Sequence, residues 1–278
     1  MRHRYLFFVL LLATTSHAGD AEIVGHTKFA LTRQAYPEQS LFRDLVGSNT
    51  LDLDGDLRLN FKTKPDRWSF DVAYQLLALS GDSVELGRIV PGGTDLFFPG
   101  LPNDDRRLFN LTDVIDDNRK TVVLHRLDRL TVGYTSEKAV VRFGRQALSW
   151  GNGLFYAPMD LVNPFDPAAV DTEYKSGDDM LYLQYLRDNG HDVQGAYVVR
   201  RDLLTGDVES DRATLTVKYN GFLGEAEFDL LIAEHYGDTV VGFGASLDVG
   251  GTVLRGVLLV TRGSDETTVQ LVKNLTYS

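Results

Sequence analysis

Apolar and polar residues alternate with a period of two along most of this chain, and that alternation constrains the fold more than any single motif. In residues 50–63, TLDLDGDLRLNFKT, the residues Leu51, Leu53, Gly55, Leu57, Leu59 and Phe61 alternate with Asp52, Asp54, Asp56, Arg58, Asn60 and Lys62. Successive side chains of a strand point to opposite faces, so one face here is apolar and the other almost wholly charged. The pattern recurs in RWSFDVAYQL, RATLTVKY and EAEFDLLIAEH, and in VGFGASLDV, where Val241, Phe243, Ala245, Leu247 and Val249 share a side. Such patterning predicts β-strands with one apolar face. No stretch of comparable length carries the 3.6-residue period of a helix. The three aspartates around Gly55 resemble a calcium loop, but that loop needs glycine sixth and glutamate twelfth. Counted from Asp52, the glycine falls fourth and Thr63 twelfth. No metal site and no cofactor is expected.

The connections carry a second signal. Strands are predicted near 23–35, 50–62, 67–79, 121–134, 139–146, 180–187, 192–200, 212–219, 225–234, 239–249, 252–261 and 266–277. Every second connection is then tight, and those between are often long, above all 80–120 and 147–178. Short turns at one end and long loops at the other are the signature of a transmembrane β-barrel. A soluble sandwich also alternates, but nothing in its physics sorts loops by parity. The expected fold class is therefore all-β: a transmembrane antiparallel up-and-down β-barrel of about 12 strands. Its apolar faces would meet lipid and its charges a wet lumen, since Arg or Lys facing lipid at mid-depth costs about 2–4 kcal/mol. Trp68 and Tyr74 stand where interfacial aromatics could sit. Two segments fit less well. TVLRGVLLV is apolar on both faces, and ETTVQLVKNLTYS alternates poorly, so either the last strand is atypical or the chain is part of a larger barrel.

The N-terminus reads MRHRYLFFVLLLATTSHAGDAE, with Arg2 and Arg4 before an apolar run and Ser16-His17-Ala18 as a small-x-small site. This is the pattern of a secretory signal peptide over residues 1–18, leaving 19–278 as the barrel domain. Its apolar run is shorter than the ~20 residues a spanning helix needs. With no cysteine in the chain, disulfides and thiol chemistry are excluded. The net charge is −11, and loss of Arg2 and Arg4 would take it to −13. An acidic chain of this kind is a poor partner for nucleic acid. The expected partners are outer-membrane lipid, lipopolysaccharide and a small polar solute, in the cell outer membrane. The oligomeric state is left open.

The most distinctive stretch runs from 141 to 186, VRFGRQALSWGNGLFYAPMDLVNPFDPAAVDTEYKSGDDMLYLQYL. A strand ends in Gly144-Arg145-Gln146, and a loop rich in Pro, Gly and aromatics follows. That loop is too aromatic for a solvated tail. It is predicted to fold inward through Trp150, Phe155, Tyr156, Asp160, Asn163 and Phe165, with a lid or subunit contact as the alternative. GRQ, SWG and NPF between two strands resemble outer-membrane porin-like proteins of Gram-negative bacteria, including alginate-export-type barrels. The resemblance covers about forty central residues and implies passive passage of a solute. It would make Arg145 and Gln146 pore-side or rim residues. Arg145 shares the phase of the outward Val141 and Phe143, so it needs a bulge or strand end at Gly144 to turn inward.

Lumen charges are sorted by sign along the chain. Asp52, Asp54, Asp56 and Asp71 form an acidic arc, with Arg58 and Lys62 nearer the turn, while Arg129, Arg142, Arg200, Arg212 and Lys218 form a basic one. Facing arcs would orient a charged solute; the alternative is that these charges pair and plug the barrel. No nucleophile elbow and no H-E-x-x-H spacing occurs, so no catalytic residue is assigned and the chain is read as a non-enzyme. The leading expectation is a porin-like channel for polar or charged solutes. A closed barrel acting as scaffold or adhesin comes next, and an outer-membrane lipid hydrolase third.

Overall fold

The computed structural model describes residues 9–18, 21–89, 102–151, 156–164 and 174–277. The first half of the chain contributes β1 (Val9–Ala18), β2 (Ala21–Ala35), β3 (Asn49–Thr63), β4 (Trp68–Gly81), β5 (Thr112–Asn118), β6 (Thr121–Thr135) and β7 (Ala139–Gln146). The second half contributes β8 (Asp178–Leu186), β9 (Asp192–Val198), β10 (Thr214–Leu223), β11 (Ala226–His235), β12 (Asp238–Val249), β13 (Thr252–Arg262) and β14 (Thr267–Tyr277). Two short helices, α1 (Leu41–Val46) and α2 (Asp82–Ile89), lie in connections. All strands join one antiparallel sheet in chain order, except that β5 pairs only with β6. The sheet has β1 and β14 at its edges, and no ladder joins them among the described residues.

The twelve expected strands are all present, and two more correct the strand count. β1 runs through the segment read as an export leader and pairs with β2 along its length. β5 lies within 80–120, which was expected as loop. It pairs with residues 121–126 of β6, on the side where β7 pairs with residues 130–135. β6 is longer than β7, so without β5 its upper edge would leave backbone groups unpaired. The turns at 64–67, 136–138, 187–191, 224–225 and 250–251 lie at one end, while α1, α2, β5 and 199–213 gather at the other, together with the short turns at 236–237 and 263–266.

Burial is inverted relative to a water-soluble sheet. On β3, Leu51, Leu53, Leu59 and Phe61 are exposed, whereas Asp52 and Arg58 are buried. The outward row continues through Phe70, Val132, Phe143, Leu183, Leu215, Ile232, Phe243, Leu258 and Leu271, all exposed. Beside the short turns the exposed residues include the aromatics Trp68, Tyr185, Phe222 and Tyr277, along with Leu186, Leu223 and Val249.

Two local irregularities shape the inner face. Between Ala73 and Tyr74 the β4–β6 register shifts by one, leaving Asp128 without a partner on β4. That bulge turns both Asp128 and Arg129 inward, because an extra residue restores the side that alternation would have lost. At Gly144 the backbone takes φ +115°, and a Cβ there would stand 2.1 Å from the Leu130 carbonyl oxygen. Only glycine suits this conformation, and beyond it Arg145 and Gln146 are both buried.

The inner face is not uniformly polar. Across β8, β9, β11, β12 and β13 it presents Met180, Tyr182, Val198, Leu231, Val240, Val257 and Leu259. The chain after β7 folds onto this surface, and Leu148, Trp150, Met159 and Val162 complete one buried apolar cluster with it. This accounts for a β13 that is apolar on both sides: one side is exposed, the other covered by the inward segment.

Candidate functional site

Opposite that cluster, across β3 to β8, the inner face carries charge. Asp128, 1% exposed, lies within 2.7 Å of Arg58, 2.7 Å of Arg129 and 3.3 Å of Arg126, and accepts the Gly177 backbone N–H. Arg145 is also 1% exposed; its guanidinium donates to Asp179 at 2.9 Å, to Asp104 at 2.8 Å and to the Phe109 carbonyl at 2.6 Å. Burial works against the Asp104 carboxylate, but hydrogen bonds from Arg107 and the Leu111 N–H, with the charge of Arg145, hold its pKa below the ordinary value. Arg200 donates to Asp178 at 3.0 Å, to the Val162 carbonyl and to Thr214. Lys218 lies 3.1 Å from Asp229. Buried charges persist when paired and hydrogen-bonded, and each of these is.

Most of the predicted basic arc is therefore engaged by protein groups. Arg129 spends its guanidinium on Asp128 and on the Lys175 carbonyl. Arg142 lies over the Tyr182 ring at 4.3 Å. Arg212 is a correction: it sits in a 3-10 turn at Ser210–Arg212, 45% exposed, paired with Asp202 outside the sheet. The acidic arc differs. Asp52 accepts the Ser83 N–H and hydroxyl, tying the start of α2 to β3. Asp56 accepts Gln75 Nε2, while Asp54 Oδ1, Asp56 Oδ1 and Asp71 Oδ1 are buried without a hydrogen-bond partner. The acidic and basic residues thus do not pair across the face as two arcs; the cations take their partners from aspartates that alternation did not single out.

The inward segment is built as a strap. Trp150 donates its indole N–H to Gln194 Oε1 at 2.6 Å, and its backbone N–H goes to Asp160 Oδ1. Asn163 accepts the Leu148 N–H and donates to the Ser176 carbonyl. Lys175 Nζ donates to the Leu148 carbonyl and to Ser149 Oγ and stands 3.1 Å from Asp160. Burial lowers the Lys175 pKa and Asp160 opposes that fall. The ammonium is thus held at once by a carbonyl, a hydroxyl and a carboxylate. Tyr174 closes the strap by stacking on His26 at 5.3 Å and lying 4.3 Å from the Arg58 guanidinium. Tyr156 is 55% exposed, and its hydroxyl accepts from Gln270, which shares the phase of the inward Val272 on β14. Phe155 and Phe165 lie outside the described residues.

Two polar cavities flank this network. One, of about 650 Å³, opens among the long loops and is lined by Arg106, Arg107, Asn163, Gly177, Asp178 and Arg200. The other, of about 530 Å³, lies toward the short turns and is lined by Lys62, Asp71, Arg129, Thr131, Arg142 and Gln146. A smaller cavity sharing Glu22, Lys62, Asp71 and Arg129 continues it to Arg58 and Tyr174. What divides the two ends is thin: Ser176 and Gly177 face the first cavity, and Arg129, which holds the adjoining Lys175 carbonyl, faces the second. A Cβ on Gly177 would come within 2.4 Å of the Asp128 carbonyl oxygen and 2.8 Å of Arg145 Cγ, so the partition is packed without slack.

Alternation names the face of a residue but not its partner, so it passed over Asp104, Asp128, Asp178, Asp179 and Asp229. A signal for Asp128 was present: in HRLDRLTV the alternation breaks at Asp128-Arg129, as a bulge requires. Among the described residues no group of three or more His, Asp or Glu side chains is placed to hold a metal ion. The chain matches no protein-family model, no curated protein and no solved structure.

Proposed function

We propose that this protein is an outer-membrane β-barrel that passes small polar solutes, with the strap formed by residues 148–151, 156–164 and 174–177 as its constriction. The observation that carries the reading is the inverted polarity of the sheet, with exposed Leu, Ile, Val and Phe on one face and paired Arg, Lys and Asp on the other. Lipid is the solvent that favours such an exterior, and a barrel closed on itself would satisfy the edge groups of β1 and β14. The aromatic row beside the short turns matches the girdle at a membrane interface. Two polar cavities, one toward each end, support passage, and the partition between them is where selection would occur. The resemblance to porin-like proteins in the GRQ, SWG and NPF segments points the same way.

The test is planar-bilayer conductance of the refolded protein, with heat-modifiable mobility confirming the barrel. Steady openings whose ion selectivity shifts in Arg129→Gln support a channel through the partition. A second reading, a plugged barrel serving as scaffold or adhesin through its long-loop end, is favoured by the pairing of the partition's charges. A heat-modifiable barrel that never conducts establishes that second reading at the expense of the first.

A further inference from the structure

Barrel closure would occupy the outer edges of β1 and β14, but it leaves a third edge open. β5 pairs only with β6, and among the described residues no backbone hydrogen bond leaves 112–118 on its other side. Such an edge is a row of unpaired N–H and C=O groups to which an extended peptide can add as a further strand. Hydrocarbon does not tolerate an open edge, and β5 lies at the long-loop end with α1 and α2. A bulge shapes its two sides. Asp113 stands opposite His125 and Asp116 opposite Val123, so the register shift at Ile115 brings both aspartates to one side, where strict alternation would part them. Val114 stands opposite Leu124 on the other side and is 52% exposed, and the bulged Ile115 is exposed as well.

Charge decides which strand fits. β5 carries Asp113, Asp116 and Asp117 and no Lys or Arg. The cations beside it are already committed: Arg88 pairs with Asp117, Arg119 with Glu85 and Lys120 with Asp82. Among the described residues Asp113 has only the His125 ring, 3.8 Å away, and Asp116 only the Asn118 side-chain amide. Both aspartates are exposed. A short, bulged, charged edge turns most strands away, and like charges set directly opposite one another are destabilising. The edge therefore rejects an acidic strand, including one from a second copy of a chain whose net charge is −11. A strand rich in Lys or Arg would instead set its cations opposite the two aspartates. We propose that β5 is a docking edge for an extended basic segment of a partner protein, which adds as a strand with its cations at Asp113 and Asp116 and an apolar side chain against Val114. The proposal goes beyond the channel reading and does not depend on conduction.

The test is isothermal titration calorimetry of the full chain refolded in detergent at low salt, with three synthetic peptides as probes. KTKVKTK supplies charge and strand pairing, ETEVETE reverses the charge, and KTKPKTK keeps the charge but loses a ladder donor at its proline. KTKVKTK is expected to bind saturably, and the other two at least tenfold more weakly. Replacing Asp113→Asn and Asp116→Asn together should weaken KTKVKTK at least tenfold, whereas Asp188→Asn, exposed at the turn end, should leave it unchanged. Amide hydrogen exchange on the wild type should show 112–118 protected by KTKVKTK and β10, paired on both sides, unaltered; this arm decides if the double variant does not refold. No binding, equal binding of KTKVKTK and KTKPKTK, or binding without protection of 112–118 overturns the docking edge. Protection of 112–118 that grows with protein concentration and needs no peptide overturns it too, in favour of a second copy. Conductance on the same preparation keeps the two readings apart. Peptide docked on a non-conducting barrel keeps the edge and removes the channel; a conducting barrel blind to the peptide does the reverse.

Discussion

Gly144 sits at φ +115° with the Leu130 carbonyl where its Cβ would be, and the residues after it owe their inward position to that geometry. Gly144→Ala is expected to cost about 2–3 kcal/mol, as a residue forced into a conformation suited to glycine. Urea unfolding of the refolded protein reads this directly; an unchanged midpoint would remove the glycine from the account. Arg145→Met strips a buried cation from Asp179 and Asp104 and is expected to cost about 3–5 kcal/mol at neutral pH. Asp104 adds a pH dependence whose sign follows from its lowered pKa. A carboxyl that is more acidic folded than unfolded stabilises the fold above its unfolded value of about 3.9, and that contribution is lost as pH falls through the folded value. The wild-type urea midpoint should therefore fall more steeply below about pH 4 than that of Asp104→Asn. Parallel curves would show that Asp104 is not a linked group.

Among the elements, the strap is where the two halves of the inner face meet: apolar against β8–β13 through Trp150 and Met159, polar against β3 and β6 through Tyr174, Lys175 and Gly177. The chain has two tryptophans, and the structure places them on opposite faces of the sheet. Trp68 is 50% exposed in the outward aromatic row, whereas Trp150 is 4% exposed within the inner cluster. In lipid vesicles, brominated acyl chains should quench most of the emission of Trp150→Phe, which retains Trp68, and little of the emission of Trp68→Phe. Equal quenching of the two variants would mean that the apolar faces do not divide between lipid and interior as described. Trp150→Ala should also loosen the strap by about 3–5 kcal/mol, the usual cost of emptying a buried aromatic site. The strap's inward course was legible in its aromatic content: Trp150, Asp160 and Asn163 anchor it and Tyr156 reaches Gln270 of β14, but that content does not say how deeply each aromatic is buried.

At the scale of the whole molecule, the partition lies between the cavity at the turn end and the one at the long-loop end. Replacing residues 150–176 by a short Gly-Ser linker would join the cavities and bare the apolar inner surface of β11, β12 and β13. In a channel this variant should conduct several-fold more than wild type while keeping its strand circular dichroism, since the ladders do not run through the strap. Unchanged conductance would place the barrier elsewhere. The loss of the cluster around Met159 should appear as a lower thermal midpoint in detergent.

The sequence by itself determined the strands, their faces and the sorting of turns from loops, because the period of two is local and exposed and inward-facing positions differ so sharply in chemistry. It also marked Gly144 as the point where Arg145 must turn. Only the tertiary structure decided which charges meet. Arg145 with Asp179, Arg200 with Asp178 and Arg58 with Asp128 are joined across 34, 22 and 70 residues. Such pairs depend on register, on a bulge that adds one residue at Asp128, and on a strap whose final position is set by packing. Alternation puts a residue on a face but carries no information about what stands across from it. That is why the arc of cations read from the sequence became, in three dimensions, a network already paired, with the unmatched polar atoms of Asp71, Arg142 and Gln146 left at its turn-end margin.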